Sequence, residues 1–167
     1  MHVVPCQSLA RLPAATWDAL VGDHNPFVEH AWLVGLEASG SVGQGTGWMP
    51  LHLLLLDGPA GTDDAPLSAG ARLVGAAPAY LKTDSYGEFI FDWAWAEFHH
   101  RNGVPYYPKL VVGVPYTPAT GPRLLLAPDC PDPAEAERLL ASALLALASR
   151  LQASSVHWLF TTAAESA

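Results

Sequence analysis

The sequence predicts an α+β fold with α/β-like stretches, and three observations carry the prediction. Val3, Val4 and Cys6 form a short apolar run that hands over to a helical pattern beginning at Pro13. Two longer apolar runs, Met49 to Asp57 and Leu73 to Leu81, flank a polar connector and read as paired strands. A helix-forming segment from Asp132 to Gln152 leads directly into the strand-like Ser155 to Phe160.

Bulk properties bound the reading. The 167 residues have the length of one ordinary domain with material for a sizeable core. Half are apolar and only 14% are charged, so an apolar partner surface or a further piece of chain is expected. Sixteen acidic against eight basic residues give a net charge of −8, with the basic residues dispersed. That argues against DNA or RNA, because phosphate binding depends on collected Lys and Arg. Leu51 to Leu56 and Leu139 to Leu147 fall well short of the roughly 20 apolar residues of a membrane span. Met1-His2-Val3-Val4-Pro5 has no secretory character, which makes the cytoplasm the expected location. Cys6 and Cys130 are expected as reduced structural thiols. The seven histidines show no metal-ligand spacing, and no metal is expected.

Each element follows from its residues. In the first helix Trp17 and Leu20 share one face. Asp23-His24-Asn25-Pro26-Phe27 reads as a turn into a second helix, with Asn25 as N-cap and Pro26 at the first helical position. Phe27, Ala31, Val34 and Ala38 form its stripe, and Gly40 is its stop. The glycine-rich segment 40–47 lacks the Gly-Lys-Ser/Thr ending of a phosphate loop and is expected as a plain loop. Leu53-Leu54-Leu55-Leu56 implies a strand buried on both faces. The connector from Gly58 to Pro66 is polar. Pro78 marks a bulge or edge in the returning strand. Asp92 can cap a short helix from Trp93 to Asn102, with Trp95 and Phe98 on one face and Trp93, Glu97 and His100 on another. Five prolines between Pro105 and Pro122 exclude a long helix and favour extended chain around Leu110-Val111-Val112. Leu124 to Leu126 is a further short strand. Asp132-Pro133-Ala134-Glu135 opens the last helix, and strand, helix and strand then form a βαβ unit.

The stretch from Lys82 to Leu125 organises the rest. Aromatics, glycines and prolines are packed there with the carboxylates Asp84, Glu88, Asp92 and Glu97, a mixture that suits the floor and rim of a cleft.

Its motifs resemble a known family. Asn25-Pro26-Phe27-x-x-His30, Glu37-x-Ser39-Gly40-Ser41, Tyr80-Leu81-Lys82, Ser85-Tyr86-Gly87-Glu88, Phe91-Asp92-Trp93-Ala94-Trp95-Ala96, Tyr106-Tyr107-Pro108-Lys109-Leu110 and Thr117-Pro118-x-x-Gly121-Pro122-Arg123 resemble a bacterial family of predicted N-acyltransferases. That family belongs to the GNAT superfamily, is similar to the FemAB aminoacyltransferases, and carries a peptidoglycan biosynthesis or recognition label. The resemblance runs from about Trp17 to Phe160. It implies a mixed, mainly antiparallel sheet flanked by helices, with residues 1–167 forming a single N-terminal domain that ends after its fifth strand. A C-terminal GNAT-like half, or a second copy of the chain, is then the expected partner. It implies acyl-CoA or aminoacyl-tRNA as donor and a small-molecule amine or cell-wall precursor as acceptor. Asp84 stands where the family usually has His, so no histidine is available at that position for proton transfer. The stretch Ala127 to Pro133, where GNAT enzymes bind the CoA pyrophosphate, has prolines and carboxylates instead of donors, so CoA is expected mainly outside this chain.

Acyl transfer to an amine needs a base, donors for the oxyanion and ordered substrates. Glu88, Asp92 and Tyr86 are the catalytic candidates: the carboxylates as base or as grip for a cationic amine, the tyrosine as oxyanion donor. Lys82, Ser85, Trp93, Trp95, Tyr106, Tyr107, Lys109 and Arg123 are the candidate substrate-binding residues, with Arg123 as a clamp for carboxylate or phosphate. A structural reading stands beside this one, in which Asp92 is a helix cap, Glu88 pairs with Lys82 or Lys109, and Arg123 pairs with Glu88 or Asp92. No Gly-x-Ser-x-Gly elbow occurs, so direct attack by the amine is expected. The second function carried forward is a recognition module for a cell-wall or amino-sugar ligand, without catalysis. An inactive truncated half is the third.

Overall fold

In the computed structural model, the described residues are 1–165 apart from His24, Ala60, Asp63 and Asp64. Parts of the expected 23–27 turn and of the 58–66 connector therefore lie outside them. Two four-stranded sheets and four helices make up an α+β fold.

The opening strand β1 (His2–Cys6) leads through a 3-10 turn at Leu9–Arg11 into α1 (Ala14–Val21). Asn25 does act as a cap, its side chain accepting from the Phe27 N–H at 3.2 Å, but what it caps is a 3-10 turn, Pro26–Val28. Glu29 is extended, and α2 (His30–Ala38) starts afresh with its His30 N–H on Asp18 at 2.7 Å. The break shifts the helical phase. Leu33 is the buried residue of α2, in place of the expected stripe through Ala31 and Ala38, which are exposed.

Both long strands divide. The first becomes β2 (Trp48–Pro50) and β3 (His52–Asp57), and the second β4 (Arg72–Ala77) and β5 (Ala79–Lys82). Pairing continues across the break, with Leu53 opposite Ala77 and Pro50 opposite Tyr80, so one hairpin leaves the first sheet and enters the second. Pro78 sits at this crossing because it has no N–H to give a ladder; its carbonyl accepts from the Gly113 N–H at 3.1 Å.

The helix α3 (Trp93–Arg101) is followed by β6 (Lys109–Val112), β7 (Leu125–Leu126), α4 (Pro133–Arg150) and β8 (Val156–Trp158). The first sheet runs β1-β3-β4-β7, all antiparallel, and the second β2-β5-β6-β8, with β6 and β8 parallel. The parallel partner of β8 is thus β6, not the Leu124–Leu126 segment that the βαβ reading supplied. The proline-containing chain between them crosses to the other sheet, where β7 pairs with β4. Eight strands are present among the described residues, against the five expected, because the two long ones split and the extended chain around Leu110-Val111-Val112 forms β6.

Leu53 to Leu56 are at most 2% exposed, as a strand covered on both faces requires. Alternation sends Leu54 and Leu56 to a cluster with Trp17, Leu20 and Leu33, and Leu53 and Leu55 to one with Leu140 and Leu144 of α4. Each such leucine contributes roughly 1.5–3 kcal/mol by burial. Asp132 caps α4, accepting from the Glu135 N–H at 3.0 Å. A third cluster of Trp48, Tyr80 and Val111 underlies the loop that follows β5. Among the described residues, no helix is long and apolar enough to cross a membrane. Both cysteines are free thiols.

Candidate functional site

Sheet register brings two lysines face to face. Lys82 of β5 lies opposite Lys109 of β6, and both are fully buried. Like charges in that position repel, so the surrounding groups must answer them. The loop from Thr83 to Asp92 does this with Asp84, Glu88 and Asp92.

The Lys109 ammonium is 2.6 Å from Asp92 Oδ2, 2.9 Å from Glu88 Oε2 and 3.3 Å from Ser85 Oγ. Tyr106 donates its hydroxyl to the same Asp92 oxygen, and the Tyr107 and Ser85 hydroxyls are 2.5 Å apart. The Tyr106 ring lies under the ammonium at 4.9 Å. Six expected site residues (Glu88, Asp92, Ser85, Tyr106, Tyr107 and Lys109) therefore form one cluster. Asp92 stands at the N-cap position of α3, yet its carboxylate caps nothing. Lys109 and Tyr106 have taken it, which corrects the helix-cap reading.

The two carboxyls differ in proton affinity. Burial pushes Asp92 up, but donors from Lys109, Ser85 and Tyr106 outweigh it and leave the group below its ordinary range. Burial raises Glu88, and Lys109 offsets that only in part. Burial, reinforced by Asp92, likewise holds the Tyr106 hydroxyl protonated across ordinary pH.

Lys82 is served separately. Its Nζ lies 3.3 Å from Asp84 Oδ1, donates to the Tyr86 carbonyl at 3.1 Å, and sits 4.0 Å from the Trp48 ring centre. Burial lowers its proton affinity, and Asp84 works against that. The Tyr86 carbonyl also accepts from the Trp48 indole at 2.9 Å. At Gly87 the chain adopts φ +77°, and a Cβ there would stand 2.6 Å from the Tyr116 ring. Only glycine fits that approach.

The pinned loop turns its aromatics outward. Tyr86, Phe89, Phe91, Trp93, Trp95 and Phe98 are between 45% (Trp93) and 74% (Phe91) exposed. No residue of α3 is buried, so neither of its two expected faces packs on the domain. Phe89 and Phe91 hold left-handed φ values of 60° and 53°, uncommon for bulky residues. The cleft expected from composition is thus a charged floor beneath an outward aromatic wall. Two open depressions flank Tyr106. One, of about 480 Å³, is lined by Glu97, His100 and Tyr107; the other, of about 440 Å³, by His99, Ser155 and His157.

Arg123 is not part of the cluster. Its side chain is fully buried and donates to the carbonyls of Leu159 (2.7 Å), Pro122 (3.2 Å) and Ala119 (2.6 Å). It bonds to neither Glu88 nor Asp92, and its donors are spent on backbone, which corrects both the clamp and the ion-pair readings.

His157 is the residue that sequence reasoning passed over. A ring nitrogen of His157 and carboxylate oxygens of Glu88 and Asp92 all lie within 4.8 Å of one another, a grouping that no short spacing announces. Its Nε2 is 2.9 Å from Ser155 Oγ. Burial and the nearby Lys109 hold the imidazole below its ordinary proton affinity, against a smaller pull from Asp92. The only available signal was the alternation of Ser155 and His157 along one strand face. Three such ligand types can hold a metal, but the ammonium of Lys109 already supplies the positive charge between the two carboxylates.

No curated protein and no solved structure matches the chain. One family model does, that of the FemAB-like proteins, described as peptidoglycan biosynthesis/recognition, over residues 8–167. With nearly its whole length matched, the chain belongs to the FemAB-like family of peptidoglycan biosynthesis and recognition.

Proposed function

We propose that the chain is the acceptor-side domain of a cytoplasmic GNAT-type N-acyltransferase that modifies an amine of a cell-wall precursor. The observation that carries this reading is the outward aromatic wall of residues 86–98 above the Lys109, Asp92 and Glu88 cluster. Exposed rings of Tyr86, Trp93 and Trp95 suit stacking on sugar faces, as aromatic side chains offer large rigid contact area.

The amine nitrogen attacks the donor carbonyl carbon, the C–S or C–O bond of the donor breaks, and the ammonium proton passes to a base. Glu88 is 2% exposed and closed off by Lys109, so it does not meet the amine directly. His157, neutral near pH 7 and lining the depression beside Tyr106, takes the proton. Asp92 and Glu88 hold Lys109 and Tyr106 behind it, and Tyr86 stands at the rim as the exposed hydroxyl for the oxyanion. The donor, acyl-CoA or aminoacyl-tRNA, binds mainly on a second GNAT-like half or a second copy. The start of α4 supports this, since Asp132 and Glu135 crowd an anion at that helix end and Asp132 occupies the Glu135 N–H.

A second reading, recognition without catalysis, draws support from one fact: both candidate carboxylates are already paired with Lys109. Thermal shift with a muropeptide carrying a free amine, and separately with acetyl-CoA, tests the acceptor assignment. Stabilisation by the muropeptide alone supports it, and stabilisation by acetyl-CoA alone sinks it. Mass spectrometry of the muropeptide after incubation of the complete protein with acyl donor separates transfer from recognition.

A further inference from the structure

We propose that Ser155 and His157 form a nucleophile and base pair that gives the chain a second activity, hydrolysis of small activated acyl esters through an acyl group carried on Ser155. The activity shares its base with the transfer reaction but needs no amine, so it stands or falls separately from the acceptor reading.

The pair follows from the pattern of the last strand. Alternation turns Val156 and Trp158 toward the apolar cluster around Leu140 and Leu144 of α4, and leaves Ser155 and His157 together on the other face. The Ser155 backbone is fixed to the sheet, its carbonyl accepting from the Leu110 N–H at 2.9 Å. Its hydroxyl lies 2.9 Å from His157 Nε2. The Ser154 hydroxyl is farther off, at 3.4 Å, and is itself engaged with the Tyr106 carbonyl at 2.5 Å. With the ring proton on Nδ1, Nε2 accepts from Ser155, the contact by which a base activates a hydroxyl nucleophile.

The surroundings turn this contact into a site. Burial and Lys109 keep the imidazole neutral, the state that a base requires. Carboxylate oxygens of Asp92 and Glu88 stand within 4.8 Å of a ring nitrogen, and their charge favours the imidazolium once Ser155 has given up its proton. Lys109, paired with the same carboxylates, limits that help, so turnover is slow. The depression of about 440 Å³ lined by both residues offers Val104, Pro105 and the Tyr106 ring to a short acyl chain, and the Gln152 amide as donor to the oxyanion. Ser155 Oγ attacks the acyl carbon while its proton passes to His157 Nε2; the C–O bond to the leaving group breaks, and that group departs with the proton. Water then attacks the Ser155 ester, His157 takes a proton from it and returns it to Ser155 Oγ, and the carboxylic acid leaves.

Incubation of the complete chain with p-nitrophenyl acetate, in an amine-free buffer near neutral pH, tests this. Peptide mapping should find an acetyl group on Ser155, and p-nitrophenol should appear in a burst followed by slow release. Ser155→Ala should lose the acetyl mark and at least about tenfold of the release rate, and His157→Gln should slow acylation about a hundredfold, each with unaltered circular dichroism. Ser155→Cys should carry the acetyl group at the same position, since the base serves a thiol as well. A fluorophosphonate should label the parent chain at Ser155, a readout that needs no variant. Acetylation confined to lysines or to Cys130, release at the parental rate from Ser155→Ala, or no modification of Ser155 by either reagent at millimolar concentration would each overturn the proposal.

Discussion

Lys109 has two carboxylates, two aromatic rings and a hydroxyl around its ammonium, and no water-facing surface. Removing one partner from such a group leaves buried charge uncompensated, at a cost of about 3–5 kcal/mol. Lys109→Met should lose stability on that scale in chemical denaturation. Adding Glu88→Gln and Asp92→Asn should restore much of it, since no bare charge then remains. Asp92 also sets a pH dependence. Its folded proton affinity is depressed, so its contribution is present above the unfolded value near 3.8 and is lost as the pH falls through the lower folded value. Asp92→Asn should therefore be less stable than the parent at pH 7, with the gap closing in strong acid. His157 behaves oppositely to a pH-raised histidine: its depressed affinity favours the fold above pH 6.5 and stability falls as the pH drops through that value. Of these residues, Glu88, Asp92, Tyr106 and Lys109 were legible in the sequence because their motifs are dense in rare residue types. His157 was not, since it reaches the cluster only through the parallel pairing of β6 and β8, a contact across 46 residues between Val111 and His157 that no local pattern encodes.

At the scale of elements, the loop before α3 is held by its carbonyls and its glycine, while α3 itself is held by little. Gly87→Ala combines a left-handed φ with a clash against Tyr116, and should cost about 1–3 kcal/mol, visible as a lowered Tm. Trp95→Ala and Phe91→Ala, by contrast, should change stability by no more than about 0.5 kcal/mol, since neither side chain packs on the domain. The same substitutions should weaken muropeptide binding, and thermal shift in its presence reads both effects at once. The helical pattern of α3 was readable, as was its stop before Gly103. Its failure to bury anything was not, because aromatic spacing alone does not say whether a face meets core, ligand or partner. In α2 a correctly read cap still misplaced the stripe, since Asn25 capped a 3-10 turn and Asp18, twelve residues upstream of His30, supplied the true helix start.

Across the whole molecule, the hairpin that passes between sheets places β5 and β6 beneath the aromatic wall while α1, α2 and α4 cover the leucine-rich strands. Proline composition announced a bulge or edge at Pro78, but the change of sheet depends on Gly113 and Leu51 bonding across the crossing, which involves distant chain. Arg123 closes the far side by tying the 119–122 segment to the end of β8. Arg123→Met removes three donors from buried carbonyls and should cost about 2–4 kcal/mol in denaturation, without altering ligand binding at the wall. The central claim is that this domain holds the acceptor, and an amide chemical-shift titration of the complete chain with a free-amine muropeptide tests it most directly. The account predicts shifts at Tyr86, Trp93, Trp95, Tyr106 and His157 and none with acetyl-CoA. Shifts with acetyl-CoA at those residues, and none with the muropeptide, would contradict it.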